Sequence, residues 1–309
     1  KSGPPFPNDL HRFQDDFLFR SVRLAKIKGL PNNRIRKLSC FKTPKNLYPI
    51  NTPCCTTCVN PRIEFGHQDM FDISDLPDDH PALRFSPLVR AIEKTIQYIV
   101  DNDGIELTPL NAFKRKFVNW SVKEFDWPHY REEDVFSLQK VINEPDFLPA
   151  VLVHDLLFAT KFARHSERKF KLSKSGKQLK GHPGQIFNNF VSIYLFRYDH
   201  RRMTRFGDPP IEDWNTYLNI LNLEVETARS GSELRTSFFG RPPTPRSHDK
   251  LMSDLYLYIL RPLCWAGFLS EQCERGFPRW EESIFQKTAL WSAALKLSTD
   301  SKISQRTYH

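Results

Sequence analysis

The stretch Leu148–Arg164 constrains the fold more than any other part of the chain. Only His154, Asp155, Thr160 and Lys161 interrupt its apolar residues before the closing Arg164, and a helix apolar on nearly all sides has to be buried. It falls short of the ~18–20 uninterrupted apolar residues that span a bilayer, and no other stretch comes closer, so no membrane partner is expected. Directly after it the period changes. Phe170 and Leu172 alternate with Lys169, Lys171 and Ser173, the pattern of a half-buried strand, and Ser173-Lys-Ser-Gly176 turns the chain into another helix. A buried helix that feeds a basic strand calls for an α+β fold, mainly α.

The same order recurs downstream. Leu255, Ile259 and Leu263 share a helical face that ends in Cys264-Trp-Ala-Gly-Phe-Leu269. Trp280–Lys287 reads as a strand after a loop, and Thr288-Ala-Leu-Trp-Ser-Ala-Ala-Leu295 opens the next helix. Leu156–Ala163 aligns with Leu260–Phe268 with one residue of slack, and Phe170–Ser173 aligns with Phe285–Thr288. Two copies of one pattern are stronger evidence than one.

Ahead of the first copy, Ser86-Pro87 caps a helix carrying Leu88, Ile92, Ile96 and Ile99, which Asp101-Asn-Asp-Gly104 stops. Ile105–Thr108 reads as a short strand. The spacing then predicts a helix capped at Thr108-Pro109, with Leu110, Phe113, Phe117 and Trp120 on one face and Asn111, Arg115 and Asn119 on another. A further helix is expected over about Glu132–Asn143, with acidic residues favourably placed at its N-terminus. Ile211, Trp214, Leu218, Leu221 and Val225 mark one more, and Gly240-Arg-Pro-Pro-Thr-Pro-Arg246 separates it from the second copy. Three segments follow from this: a basic, loop-rich region over 1–80, and two units over 81–206 and 207–309.

The order of long helix, basic hairpin, strand ending in a Ser/Thr-x-x-Gly turn and next helix, over about Asp134–Leu179, resembles the winged-helix family. The resemblance implies two winged-helix-like units in tandem, with each hairpin as a wing. A weaker likeness is carried by Glu106-Leu-Thr-Pro-Leu-Asn111 and Phe170-Lys-Leu-Ser-Lys-Ser-Gly176, and spans about Ser86–Arg205. There the chain resembles an uncharacterised bacterial family named from a hairy-root plasmid open reading frame, which implies no established activity.

Charge points to a partner. Residues 1–47 hold eleven Lys/Arg against three Asp, a net of +8, whereas the other 262 residues carry a net of +1. Within that balanced remainder, residues 164–180 hold seven cations against Glu167 alone. Such a cluster suits a phosphate backbone, with affinity that falls as salt rises. The expected nucleic-acid-binding residues are Arg168, Lys169, Lys171, Lys174 and Lys177 on the hairpin, with Asn111, Lys114, Arg115 and Asn119 as a second face able to reach bases. The bland alternatives are a solvated helix face and a lysine-protected sheet edge. The rival function is a non-enzymatic protein-interaction or dimerisation scaffold, in which the apolar helices before the wings pack against a protein partner or a second copy.

Cys55-Thr-Thr-Cys58, with Cys40 upstream and His67 downstream, offers four ligands of the kind tetrahedral zinc accepts, although only one Cys-x-x-Cys knuckle is present. Free thiols in a loop are the simpler reading. No nucleotide-binding glycine loop, His-Glu-x-x-His or nucleophile elbow occurs, so no cofactor other than zinc and no reaction is indicated. The start lacks the apolar core of a secretory signal, and six cysteines in a chain this long do not form a disulfide framework, so a cytoplasmic setting is expected.

Overall fold

Two short three-stranded antiparallel sheets, each backed by helices, organise the protein. The computed structural model describes residues 71–204, 213–240, 249–273 and 280–306. Strand β1 (Phe71–Ile73) is followed by α1 (Pro87–Asp101), β2 (Ile105–Glu106), α2 (Arg115–Glu124), α3 (Glu132–Leu138) and α4 (Leu148–Ala159). The first hairpin, β3 (Ala163–Ser166) and β4 (Lys169–Leu172), leads into α5 (Lys174–Gln178) and α6 (Pro183–Phe196). The second half contains α7 (Trp214–Glu224), β5 (Arg229–Ser230), α8 (Gly231–Phe239), α9 (Lys250–Leu255) and α10 (Arg261–Ala266). The second hairpin, β6 (Leu269–Gln272) and β7 (Ile284–Lys287), precedes α11 (Ala289–Ala294), β8 (Leu295–Leu297) and α12 (Asp300–Arg306). The fold is α+β and mainly helical.

The two sheets have the same plan. Their orders are β2-β4-β3 and β5-β7-β6, so in each the second strand of the hairpin is the central one. Ile105 pairs with Phe170 in the first and Arg229 with Phe285 in the second, and both phenylalanines are fully buried. The correspondence extends to single hydrogen bonds. Ser173 N–H donates to the Phe162 carbonyl at 2.9 Å, and Thr288 N–H donates to the Phe268 carbonyl at 3.0 Å. Both hydroxyls then cap the helix that follows, Ser173 accepting from Gly176 N–H and Thr288 from Leu290 N–H. Each preceding helix ends on a left-handed residue, Lys161 (φ 62°) in one copy and Gly267 (φ 96°) in the other. The hairpins differ in what joins their strands. Two left-handed residues, Glu167 and Arg168, suffice in the first, the backbone pattern of a tight primed turn. In the second, residues 273–283 intervene.

Helix α1 forms as its sequence dictates. Ser86 Oγ accepts from Val89 N–H at 3.2 Å, and Leu88, Ile92, Ile96 and Ile99 are all buried, each contributing about 1.5–3 kcal/mol relative to exposure. Between α9 and α10 the helix widens into a π turn, Tyr256–Leu260. Pro262 has no N–H to give the Tyr258 carbonyl, and its ring crowds that carbonyl, which accounts for the local widening. Every residue from Met252 to Ala266 is buried. Helix α10 packs on α1 and α6 of the first half, so the apolar helix before the second hairpin finds its partner inside the same chain. Helix α4, the other apolar helix, packs on α1. Cys264 and Trp265 are core residues.

Three expectations are corrected. The helix predicted to start at Thr108-Pro109 starts at Arg115; Leu107 instead bridges to Phe113 across a turn, leaving Leu110 90 % exposed at its tip and Asn111 left-handed at φ 61°. The helix predicted over Glu132–Asn143 ends at Leu138, because Gln139 turns extended and the chain runs into a short helical turn at Glu144–Asp146. The strand predicted over Trp280–Lys287 is confined to its last four residues. Ile211 and most of the Pro-rich connection at 240–246 lie outside the described residues.

Candidate functional site

The first hairpin and the turn behind it carry the cationic surface. β4 is held on both sides, with Arg164 opposite Lys171 and Ser166 opposite Lys169 in β3, and Glu106 opposite Lys169 in β2. This order brings acidic groups to some of the lysines. Lys169 Nζ donates to Asp103 Oδ2 at 3.1 Å, and Lys171 Nζ lies 3.6 Å from the same oxygen and 3.7 Å from Glu167. The hydrogen bond and charge of Lys169, joined by Lys171, hold the Asp103 carboxyl below its usual value. Lys114 pairs with Glu106 at 2.8 Å and lowers that carboxyl in the same way. Arg115 Nε donates to Asn143 Oδ1 at 2.9 Å.

Of the residues expected to contact nucleic acid, Lys114, Lys169 and Lys171 are therefore neutralised within the chain, and Arg115 is held by a neutral side chain. The structure does bring Lys114, Lys116 and Lys169 around one shallow recess beside Tyr98 and Gly104. Asn111 and Asn119 are exposed but share no helix face, since Asn111 sits in the turn before α2. Arg168, Lys174 and Lys177 are exposed and make no ion pair among the described residues, and the same holds for Arg164 and Lys180. Arg201 and Arg202, which could have extended a phosphate track, are engaged by Asp199 and Asp155.

A polar chain that periodicity does not reveal runs behind this hairpin. Glu144, 5 % exposed, accepts from Phe113 N–H at 2.6 Å through Oε2, and its Oε1 lies 2.6 Å from His154 Nδ1. His154 Nε2 is 2.9 Å from His165 Nε2. The rings are clamped by stacking, His154 on Phe113 at 4.1 Å and His165 on Phe158 at 4.6 Å between centroids. Two facing nitrogens at this distance need one proton between them, so the two imidazoles cannot both be doubly protonated. Burial first, and then the neighbouring His154, push the His165 pKa down. The chain joins β3, at the turn end of the hairpin, to α4 and to the turn before it. His154, one of two polar interruptions in a largely apolar helix, is the sequence signal, and nothing local identifies Glu144 or His165 as its partners.

Among the described residues, no group of three or more His, Cys, Asp or Glu is arranged to hold a metal ion. The zinc candidates Cys40, Cys55, Cys58 and His67 lie outside the described residues. No helix among the described residues is long and apolar enough to cross a membrane.

Comparison with known proteins assigns the two halves separately. Residues 84–185 match the Y4jL N-terminal domain and residues 204–289 match the y4jL C-terminal domain. "Uncharacterized protein y4jL" of Sinorhizobium fredii (strain NBRC 101917 / NGR234) is 30% identical over 174 residues, which cover 54% of this chain and 79% of that protein. The chain belongs to the y4jL family. The first match contains the first hairpin and the second match contains the second hairpin. The expectation of an uncharacterised bacterial family is met at this level. No solved structure matches the chain.

Proposed function

We propose that this y4jL-family protein binds nucleic acid, most simply duplex DNA, by its phosphate backbone, through the first of two winged-helix-like units. One observation carries the reading: Arg164, Arg168, Lys174, Lys177 and Lys180 lie exposed within seventeen residues, without ion pairs among the described residues. Uncompensated cations on one hairpin and the helix behind it release counterions from a polyanion, whereas lysines already paired to Asp103 or Glu106 gain much less. The unit order supports the winged-helix reading. Each half runs helix, strand and helix, with the short α3 added in the first half, then a further helix and a two-stranded hairpin whose second strand is central.

Backbone binding without base reading is the form this takes. α4, the helix that enters the groove in such units, commits Leu152, Val153, Leu156 and Leu157 to the core and leaves Phe158 half exposed, and its Asp155 is held by Tyr198 and Arg202. Its counterpart α10 is fully buried. The second hairpin, residues 269–288, carries four acidic and three basic groups and so has no excess of positive charge. The scaffold reading draws less support, since α10 and all of α4's large apolar side chains but the half-exposed Phe158 are used within the chain. Reversing Lys174, Lys177 and Lys180 to Glu is expected to weaken binding to a random-sequence duplex at low salt at least about tenfold, while Lys169→Gln and Lys171→Gln weaken it little. Undiminished binding by the triple variant would overturn the proposal.

A further inference from the structure

The position on the second hairpin that corresponds to His165 is Glu271, which faces Phe285 across the ladder as His165 faces Phe170. Its side chain is 1 % exposed. Oε2 accepts from the Tyr256 hydroxyl at 3.1 Å and lies 2.8 Å from His129 Nε2, while Oε1 has no hydrogen-bond partner. His129 comes from the segment between α2 and α3, in a left-handed conformation (φ 63°), with its side chain 20 % exposed. Its other ring nitrogen, Nδ1, lies 3.7 Å from the sulfur of Cys273, within reach of a thiol hydrogen bond. Cys273 is exposed, and it stands two residues beyond Glu271, on the same side of an extended chain.

These contacts form a line of thiol, imidazole and buried carboxylate, the geometry of a nucleophile, its base and the group that orients the base. A carboxylate that accepts Nε2–H fixes the tautomer, leaving the Nδ1 lone pair facing the thiol. Burial first, and then the charge of Glu271, push the Cys273 thiol up, against the pull of Arg131. A base held against the thiol removes its proton as the sulfur attacks, the arrangement that acyl transfer at a carbonyl carbon uses.

We infer that Cys273, His129 and Glu271 form a nucleophilic thiol site for activated acyl groups, esters or thioesters. In the first step the sulfur bonds to the carbonyl carbon and the thiol proton passes to His129 Nδ1. The carbon–oxygen or carbon–sulfur bond to the leaving group breaks, and the leaving group takes that proton. Water then attacks the acyl-thioester, giving its proton to His129, and the carboxylic acid departs as the thiol is restored. Sequence gave no sign of this site, because 144 residues separate His129 from Cys273 and no motif joins them.

The test is acylation of the full-length chain by p-nitrophenyl acetate near neutral pH, read as p-nitrophenolate release and as an acetyl adduct located by mass spectrometry. The expected result is an adduct at Cys273 that Cys273→Ala removes and that forms at least about tenfold more slowly in His129→Asn, with Glu271→Gln also slowed. Thermal melting of each variant identifies any that fails to fold, and the folded His129→Asn protein decides the case. Acetylation confined to other residues, or an unchanged rate at Cys273 in His129→Asn, would overturn the inference.

Discussion

His200 should make the protein lose stability as pH falls, by an amount that can be worked from its surroundings. The residue opens the short helical turn His200–Met203 after α6, with the rings of Tyr194 and Tyr198 at 5.0 and 5.6 Å and the Leu195 carbonyl 3.3 Å from Nε2. Burial lowers its pKa from 6.5 to about 4; the Leu195 hydrogen bond opposes the shift and the charge of Arg261 adds to it. The folded chain thus refuses a proton that the unfolded chain accepts. Its contribution is complete above about pH 6.5 and is lost as pH falls towards 4. At pH 5 the unfolded imidazole has gained about 1.5 pH units of protonation that the folded one has not, worth about 2 kcal/mol at 1.36 kcal/mol per unit. Urea denaturation at pH 7.5 and pH 5.0, on the protein and on His200→Gln, isolates this contribution from the other histidines. The parent should lose about 2 kcal/mol more than the variant over that interval. Equal losses would refute the claim that His200 is buried neutral.

Two further substitutions probe the packing around the hairpins. A Cβ on Gly176 would lie 2.0 Å from the Phe162 carbonyl oxygen, the atom that also accepts from Ser173 N–H, so Gly176→Ala should cost about 3 kcal/mol or more and lower Tm by several degrees; a Tm within about one degree of the parent would contradict the close approach. Arg235 and Asp249, each 8 % exposed, meet at 2.7 Å. Asp249→Ala leaves that guanidinium without its carboxylate and removes the cap on α9, and should cost about 3–5 kcal/mol in urea denaturation, whereas a loss below about 1 kcal/mol would show the pair to be solvated.

What the sequence revealed and what it hid divide along physical lines. Caps and periods are local, so Ser86-Pro87, the Phe170/Leu172 alternation and the Ser173 and Thr288 turns could all be read directly. The equivalence of the two hairpins was legible for the same reason, down to the alignment of Phe170 with Phe285. Residues 108–114 were misread because Leu110 and Phe113 have helical spacing, yet the Leu107 bridge and the Glu144 carboxylate hold this stretch in a turn. Those partners are long-range, and no window around Leu110 contains them. The same reason hid the Glu144–His154–His165 chain and the His129–Glu271–Cys273 line. In the cationic patch, composition counted the lysines correctly, but it could not tell that Asp103, 66 residues before Lys169, would lie against both Lys169 and Lys171.

The salt dependence of duplex binding tests the central claim most directly. Five unpaired cations, each displacing about 0.9 of a counterion, amount to a slope of about −4.5 in log affinity against log salt, or about 500-fold between 50 and 200 mM. Fluorescence anisotropy of a labelled duplex, with the parent chain and with Arg164, Arg168, Lys174, Lys177 and Lys180 all changed to Gln, measures their share separately from the basic first 47 residues. The account predicts a slope shallower by about 4 to 5 in the variant. Superimposable slopes, or no binding by the parent at 50 mM salt, would contradict it.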